Sequence, residues 1–257
     1  KYTPAIVGEH VMSARDAAIL AWHLIEDYPK ILDFTSTQRI KFREEQANPM
    51  DLPNWNWMLP GLIFKYEGVD GLKTGSTEAA GYNFTATAER NGMRLISVVM
   101  GTDSREERFA QTRRLLDYGF ANYEIINLLK AKEEISGFET APVEKGKKRE
   151  VPLFTKNHLT ILIKKGEGQL YKPTAVIDEP ITAPIKAGEQ VGYVSYEYTG
   201  QAQYDYIDKG IREKEKVALI TQEGVEKANA VSLFFRKILD VISGIFTGIV
   251  EGIKGLF

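Results

Sequence analysis

One short stretch of the chain, residues 69–83 (VDGLKTGSTEAAGYN), concentrates residue types that suit the binding of a ligand. A lysine is followed by small and hydroxyl-bearing residues: Lys73, Thr74, Gly75, Ser76 and Thr77. The lysine offers a positive charge, the hydroxyl groups offer hydrogen bonds, and the glycine lets a ligand backbone approach closely. The stretch therefore predicts a strand that binds an extended peptide by adding it to the sheet edge.

The residues just before the lysine bear on this prediction. Asp70-Gly71 is a turn signal, so an extended segment is expected to begin near Lys73 and to place it on a strand edge. A phosphate-binding loop requires Gly-Lys-Ser/Thr, whereas Leu72 separates Gly71 from Lys73, so a nucleotide site is excluded. A bare Lys-Thr-Gly string is also compatible with a solvated lysine beside a turn threonine.

The wider sequence around this stretch resembles a known family. Followed by MRLISVVMG at residues 93–101, it resembles the third motif region of serine-type D-alanyl-D-alanine carboxypeptidases, the low-molecular-mass penicillin-binding proteins. The resemblance extends upstream to HVMSARDAAILA at residues 10–21 and downstream through the C-terminal domain. Lys-Thr-Gly is one of the catalytic motifs of penicillin-binding proteins. The resemblance covers nearly the whole chain. It implies an α/β catalytic domain of the β-lactamase and transpeptidase type, present here in part.

The resemblance also implies an activity and a set of roles. Such enzymes remove the terminal D-alanine from peptidoglycan pentapeptides through a serine acyl-enzyme and are acylated by β-lactam antibiotics in the same way. By resemblance, Lys73 neutralises the terminal carboxylate of the substrate, Thr74 adds a hydrogen bond and Gly75 keeps the strand open. The backbone N–H of Ser76 would be one of two oxyanion donors. Arg94 either adds positive potential there or is a surface residue.

Two motifs of that family are missing from the chain. No serine is followed three residues later by lysine, and none is followed two residues later by asparagine. We therefore expect the chain to be the C-terminal portion of such an enzyme, inactive alone and completed by the N-terminal part of the same enzyme. The competing hypothesis is a non-catalytic, membrane-tethered module whose Lys-Thr-Gly edge binds a peptide without cleaving it.

The amino-acid composition further limits the classes of protein to which the chain can belong. With 257 residues and 43% hydrophobic content, the chain is long enough for two folded domains. Its net charge of −2 gives no general attraction to nucleic acid. It has no cysteine, and its three histidines show no metal-ligand spacing. We predict no metal and no cofactor.

The elements that must position the lysine begin with a helix from Ser13 to about Tyr28. Ser13 and Asp16 form a capping-box pattern, and Pro29 ends the helix. Its apolar residues recur on one stripe: Ala17, Leu20, Ala21, Leu24 and Tyr28. The next segment, residues 33–64, is predicted as loops and turns with one short strand at residues 39–42.

That segment also contains two tryptophans, Trp55 and Trp57. They are either a carbohydrate platform or aromatic residues that anchor a loop.

After the lysine, Asn91-Gly92 predicts a tight hairpin. The strands on either side and the Lys73 strand should form three neighbouring antiparallel strands. Ser104 with Glu107 caps a following helix that Gly119 should end. The apolar face of this helix is expected from its large residues: Phe109, Leu115, Leu116 and Tyr118.

The first domain is predicted to span residues 1–123, and an all-β sandwich residues 124–224. A short helix is expected near residues 124–130. Five strands are then predicted, at residues 151–154, 159–163, 170–177, 191–198 and 216–220. The basic turn at residues 145–149 is expected to be a solvated tip rather than an anion site. The sandwich is either a spacer or a docking module.

The last segment, residues 225–257, predicts an amphipathic helix that lies on a membrane surface. Its residues expected to contact lipid recur at helical spacing: Phe234, Phe235, Ile238, Ile242, Ile245, Phe246, Ile249 and Ile253. Charged residues interrupt the apolar run, so the helix should not cross the bilayer. With the family resemblance, this places the protein peripherally on the extracytoplasmic face of a bacterial cell membrane.

Overall fold

A computed structural model describes residues 11–208, 210–211, 215–239 and 242 of the chain. The chain divides into two compact units. The first unit consists of Lys1–Ile125, Leu162–Gly166 and Ala202–Ile211, and the second of Ile126–Ile161, Glu167–Gln201 and Arg212–Phe257.

The first unit packs helices on an antiparallel sheet. The helices are α1 (Ala14–Asp27), α2 (Ile31–Thr35) and α3 (Arg105–Asn122). The strands are β1 (Arg39–Phe42), β2 (Met50–Pro53), β3 (Val69–Thr77), β4 (Gly81–Arg90) and β5 (Met93–Thr102). The order in the main sheet is β3-β4-β5, which confirms the three antiparallel strands predicted from the sequence. Strands β1 and β2 form a separate hairpin.

The two turn signals around the sheet have different outcomes. Asn91 and Gly92 both adopt positive φ, at 51° and 77°, and close the β4–β5 hairpin as predicted. The turn predicted at Asp70-Gly71 is wrong, because both residues lie inside β3. The pairing of β3 with β4 shifts register between Val69 and Gly71, so this pair marks an irregularity in a continuous strand.

The core of the first unit lies between α3 and the sheet. Its largest fully buried side chains include Met58, Leu59, Phe84, Phe109 and Leu116. The predicted end of α3 at Gly119 is wrong, because the helix continues to Asn122. Gly119 instead allows close packing: a Cβ there would lie 2.4 Å from Cδ1 of Leu95 on β5.

Helix α1 begins as the sequence predicts. The Ser13 hydroxyl accepts from the Asp16 backbone N–H, and the Asp16 carboxylate accepts from the Ser13 backbone N–H, which completes the capping box. The predicted apolar stripe is only partly correct. The buried residues are Ala17, Ala21 and Ile25, whereas Leu20 and Tyr28 are exposed.

The second unit is rich in β-structure. Its main sheet has the order β10-β12-β13-β8-β7-β11, while β6 and β9 pair with each other. The strands are β6 (Tyr123–Leu129), β7 (Thr140–Glu144), β8 (Glu150–Thr155), β9 (Leu159–Lys164), β10 (Tyr171–Ile177), β11 (Ile181–Thr182), β12 (Gln190–Tyr198) and β13 (Val217–Thr221), with a 3-10 turn at Gly168–Leu170.

The five strands predicted for this region are confirmed, and three others were missed. The short helix predicted near residues 124–130 is wrong, because this stretch is β6. Its consecutive Ile125 and Ile126 are β-branched and favour an extended backbone. Strand β7 contains Pro142, which weakens a strand signal in sequence.

A last helical segment follows the second sheet at residues 230–239 (α4). The Asn229 side chain accepts from the Ser232 backbone N–H at its start. Arg236 donates to the backbone oxygens of Gly146 and Lys147, at 2.6 Å each, and so ties this helix to the turn at residues 145–149. No helix in the described part of the chain is long and apolar enough to cross a membrane.

Candidate functional site

The predicted binding residues lie together on β3. Lys73, Gly75 and Ser76 are exposed and Thr74 is half-buried, whereas Val69 and Leu72 earlier in the strand are buried. The strand therefore begins in the core and emerges at the surface where the motif starts. The Lys73 ammonium donates to the backbone oxygen of Thr74 at 2.7 Å and makes no ion pair with the described residues.

Strand β3 lies at the edge of its sheet. Within the described part of the chain it pairs only with β4, with Lys73 opposite Thr85 and Gly75 opposite Asn83. In an antiparallel ladder, backbone groups alternate between the two sides of a strand, so β3 also directs N–H and C=O groups away from β4. A Cβ on Gly75 would meet nothing within 4 Å. This edge therefore has the space and the backbone groups to bind an extended peptide.

A cavity of about 300 Å³ opens beside the motif. Its lining residues come from β3, from α3 and from the loop before β3: Trp55, Lys73, Thr74, Gly75, Ser76, Arg105 and Arg108. Three of them are cations and none is a carboxylate. The cavity thus has a strongly positive lining in a chain whose net charge is −2.

Arg108 is the least expected member of this lining. Only 3% of the residue is exposed. It forms no ion pair with the described residues, and its guanidinium carbon lies 4.7 Å from the ring centroid of Phe109. One guanidinium nitrogen lies 3.5 Å from the backbone oxygens of Gly75 and Asn83, at the limit of hydrogen bonding, and Nε has no partner. Burial, and then the charge of Arg105, lowers the pKa of Arg108 below its usual range. A buried cation this poorly compensated favours an anionic ligand.

Arg108 is not among the residues predicted from the sequence, because the prediction for α3 rests only on the large apolar residues of the helix. Two of those, Leu115 and Tyr118, are exposed. Phe109 and Leu116 are buried as predicted, and the same buried face also contains Arg108 and Thr112, which lie eight and four residues before Leu116. An arginine on a buried stripe was the available signal, because such a charge needs a partner or a function.

Arg105 lies one turn before Arg108 and packs on both tryptophans. Its guanidinium carbon is 5.1 Å from the ring centroids of Trp55 and Trp57. Trp57 packs against the core and stacks on Phe64, as expected of an anchoring aromatic residue. Trp55 does not follow that expectation, because 54% of it is exposed and it lines the cavity.

Arg94 is occupied elsewhere. It donates to both carboxylate oxygens of Asp70 at 2.8 Å, to the Thr87 hydroxyl at 2.9 Å and to Glu89 at 2.5 Å. Burial lowers the pKa of Arg94, but the hydrogen bonds and charges of Asp70 and Glu89 outweigh it and raise the pKa overall. Arg94 does not line the cavity, and its contacts fit a structural role.

The residues predicted to contact lipid lie partly within the described structure. Phe234 and Phe235 are 63% and 60% exposed, and Ile238 and Ile242 are 40% and 45% exposed. Phe234, Lys237, Ile238 and Ile242 line a shallow apolar groove. The other four, Ile245, Phe246, Ile249 and Ile253, lie outside the described residues.

Comparison with known families divides the chain in two. Residues 7–104 match the family described as D-alanyl-D-alanine carboxypeptidase (peptidase S11). Residues 123–227 match the family described as penicillin-binding protein 5, C-terminal domain. The first match contains β3 and the cavity residues other than Arg105 and Arg108.

Curated proteins with similar sequences are also described as D-alanyl-D-alanine carboxypeptidases. The chain is 35% identical over 213 residues to the D-alanyl-D-alanine carboxypeptidase DacF of Bacillus subtilis, covering 82% of this chain and 53% of the relative. It is 32% identical over 231 residues to DacC of Escherichia coli, covering 90% of this chain and 51% of the relative. The chain thus spans about half the length of the curated relatives it matches.

Solved structures extend the likeness to the fold. Penicillin-binding protein 5 of Haemophilus influenzae is 33% identical with a TM-score of 0.57, covering 84% of this chain and 57% of that one. A Streptococcus pneumoniae protein described as a peptidoglycan synthesis regulatory factor (PBP3) is 29% identical with a TM-score of 0.69, with the same coverages. The fold is therefore of the penicillin-binding protein type, with a β-rich C-terminal domain.

Proposed function

This chain belongs to the D-alanyl-D-alanine carboxypeptidase family of low-molecular-mass penicillin-binding proteins, and from that premise we propose that it supplies the carboxylate-binding part of a serine-type D-Ala-D-Ala carboxypeptidase site. The substrate would be the pentapeptide stem of peptidoglycan, and β-lactam antibiotics would bind at the same place. The observation that carries the proposal is Arg108, buried without an ion pair to any described residue, beside the exposed Lys73 in one cavity.

The charges of the cavity favour a terminal carboxylate. Lys73 is a flexible point charge at the rim, and Arg108 is a fixed charge at the wall. A carboxylate between them would form charge-assisted hydrogen bonds, each worth about 1.5–3 kcal/mol. It would also relieve the cost of burying Arg108 without an ion-pair partner. An uncharged peptide end would gain neither contribution.

The rest of the motif suits the acyl-transfer step. Thr74 would donate its hydroxyl to the substrate, and Gly75 leaves the strand unobstructed. The backbone N–H of Ser76 would be one of two donors to the oxyanion that forms when the scissile carbonyl is attacked, a contact typically worth about 3 kcal/mol. The attacking serine and its lysine would belong to the Ser-x-x-Lys motif of the family, and we propose that an N-terminal part of the same enzyme provides it.

The first test compares two ligands that differ only in the charge at their C-terminal end. Nα-acetyl-D-Ala-D-Ala and its C-terminal amide would each be titrated into the 257-residue chain, with binding followed through the backbone NMR signals of β3. We expect the carboxylate to bind at least about tenfold to a hundredfold more tightly, which corresponds to a single charge-assisted contact of about 1.5–3 kcal/mol. Equal affinities would contradict the proposed function.

We also propose that the C-terminal segment attaches the protein to the outer face of the cell membrane. Arg236 holds one side of α4 to the turn at residues 145–149, while Phe234, Phe235 and Ile238 remain exposed. Each of these side chains would contribute on the order of 1 kcal/mol on entering the lipid boundary. We further propose that the second unit is a β-sandwich. In this proposal the catalytic part spans residues 1–123, the sandwich 124–224 and the membrane anchor 225–257.

Vesicle flotation tests the attachment. A chain ending at Asn229 keeps Val225 and Ala228, which are buried in the second unit. We expect the complete chain to float with lipid vesicles and the shortened chain to stay in solution. The variant Phe234→Ser/Phe235→Ser should float less than the complete chain. Equal flotation of the complete and shortened chains would contradict the anchor.

A further inference from the structure

One corner of the cavity is not used by the terminal carboxylate proposed above. This corner is lined by Arg105 and Trp55, and Trp57 supports the Arg105 guanidinium from the core side. Trp57 packs beside both Phe64 and Phe109, with ring centroids 6.2 and 6.0 Å away. Arg105 rests on both tryptophan rings, so its guanidinium is held in place without a hydrogen bond.

Arg105 lacks an anionic partner. It makes no hydrogen bond or ion pair with any residue that the structure describes, although it is half-buried. Arg94 has a similar degree of burial and is surrounded by two carboxylates. Arg105 is also close enough to Arg108 that its charge contributes, after burial, to the lowered pKa of Arg108. The two arginines therefore repel each other across a cavity that contains no carboxylate.

A single terminal carboxylate leaves this charge partly uncompensated. Lys73, Arg105 and Arg108 together carry three positive charges, and the end of a peptide carries one negative charge. The last two residues of a D-Ala-D-Ala peptide have only methyl side chains. The third residue from the C-terminus is therefore the first one whose side chain can provide a second negative charge.

We propose that Arg105, supported by Trp55, is a specificity-determining residue that binds a second carboxylate of the substrate. The preferred substrates would then be D-Ala-D-Ala peptides with an acidic group on the side chain of the third residue from the C-terminus. This inference rests on the proposed function, because it places the terminal carboxylate at Lys73 and Arg108.

The opposite preference has one observation in its favour. Exposed tryptophan rings also bind cations, and Trp55 is 54% exposed. That ring already contacts the Arg105 guanidinium. A second cation would add to the repulsion among three existing positive charges, so an acidic side chain suits the corner better than a basic one.

Three synthetic peptides separate these possibilities. Acetyl-X-D-Ala-D-Ala, with X as Glu, Gln or Lys, would be titrated into the 257-residue chain. We expect the Glu peptide to bind about threefold to tenfold more tightly than the Gln peptide, as for a partly exposed ion pair, and the Lys peptide to bind most weakly. Raising the ionic strength should reduce these differences.

Variants in α3 show which arginine causes the preference for the Glu peptide. Arg105→Gln should abolish the preference for the Glu peptide but keep binding of the Gln peptide. Arg114→Gln removes an exposed arginine from the same helix outside the cavity and should preserve the preference. Arg105→Lys should restore it in part, because lysine keeps the charge but lacks the planar group that stacks on the rings.

The outcomes distinguish this inference from the proposed function. Equal binding of all three peptides, tightest binding of the Lys peptide, or a Glu preference that survives Arg105→Gln would overturn the role of Arg105. Carboxylate-dependent binding would still support the proposed function in those cases. If no peptide bound, both would be overturned.

Discussion

The chain carries two clusters of basic residues, one around the cavity beside β3 and one in the turn at residues 145–149, and their charges are balanced in different ways. In the turn, Lys148 pairs with Glu223 at 2.5 Å and Lys147 pairs with Glu226. All four side chains are more than 40% exposed. Around the cavity, Lys73 contacts only a backbone oxygen and Arg108 is buried without a carboxylate. Two lysines of the turn form ion pairs with glutamates of the same chain, whereas the cations around the cavity form no ion pair with the described residues.

The difference shows why a count of charges in a sequence does not locate a site. Both clusters contain three or more cations within a short stretch or a single cavity. What separates them is the position of carboxylates far away in sequence: Glu223 and Glu226 lie about 75 residues after the turn that they neutralise. Ion pairs of this exposed kind contribute about 0–1 kcal/mol to stability. Partly buried cations that form no ion pair within the protein remain free to form one with an anionic ligand.

The largest expected effect is that of Lys73→Ala. In a complete enzyme containing this chain, the change should lower kcat/KM on a D-Ala-D-Ala peptide about 30- to 1000-fold, because a charge-assisted contact worth about 2–4 kcal/mol is lost. The lysine is exposed and packs against little, so the free energy of unfolding should change by no more than about 0.5 kcal/mol. Lys73→Arg should restore only part of the activity.

Arg94→Gln is the matched control, because Arg94 is compensated by Asp70 and Glu89. It should lower the melting temperature and leave peptide affinity unchanged. Activity kinetics and thermal melts of both variants give the comparison. If Lys73→Ala lost activity only through unfolding, the lysine would be part of the scaffold.

A smaller effect is expected at Tyr66, a compensated group in the core of the first unit. Its hydroxyl donates to Asp117 at 2.7 Å, and burial, then this hydrogen bond, raises the pKa of Tyr66 to about 12. Because the folded-state pKa lies above the ordinary value of 10.0, the stabilising contribution is complete below pH 10 and is lost between pH 10 and 12. The loss should amount to about 2–3 kcal/mol.

Tyr66→Phe removes the titrating group. Urea unfolding at pH 9.5, 11 and 12 should therefore show a shallower loss of stability in this variant than in the unchanged protein. The same pH dependence in both proteins would mean that other groups dominate the alkaline transition.

The smallest effect is expected in the turn at residues 145–149. Lys148→Ala and Glu223→Ala break an exposed ion pair, so each should change the free energy of unfolding by less than about 1 kcal/mol. The double variant would give the coupling energy of the pair. Neither change should alter peptide binding. A coupling energy of several kcal/mol would remove the distinction between the two clusters.

Local signals were sufficient for much of the fold. The capping box at Ser13 and Asp16, the Asn91-Gly92 hairpin and the alternating strands of the second unit each depend on residues close in sequence, and each is confirmed. Gly119 and the segment at residues 124–130 were misjudged because their structure depends on distant partners. Gly119 accommodates Leu95 on β5, and residues 123–129 pair with β9.

The residues of the candidate site likewise fall into two groups, one that a local sequence motif identifies and one that only the fold brings together. Lys73, Thr74, Gly75 and Ser76 are adjacent in sequence, so a motif could identify them. Arg105, Arg108 and Trp55 join them only through the packing of α3 and the preceding loop on the sheet. Arg94, considered as an electrostatic contributor, is instead committed to Asp70 on the neighbouring part of β3. The periodicity of a sequence does not show whether an arginine forms an ion pair within the protein or can bind a ligand.

The empty space over Gly75 has a consequence for how this site can change through mutation. Glycine weakens a strand, and alanine at a position with φ in the ordinary range would reduce the entropy of the unfolded chain. No atom lies within 4 Å of the position that a Cβ would occupy, so the folded protein imposes no steric barrier to a larger residue. Selection on stability alone would therefore drift away from glycine at this position. Only selection on ligand binding in the cleft would retain glycine, and a single methyl group there would change the space available to a ligand while the fold stayed intact.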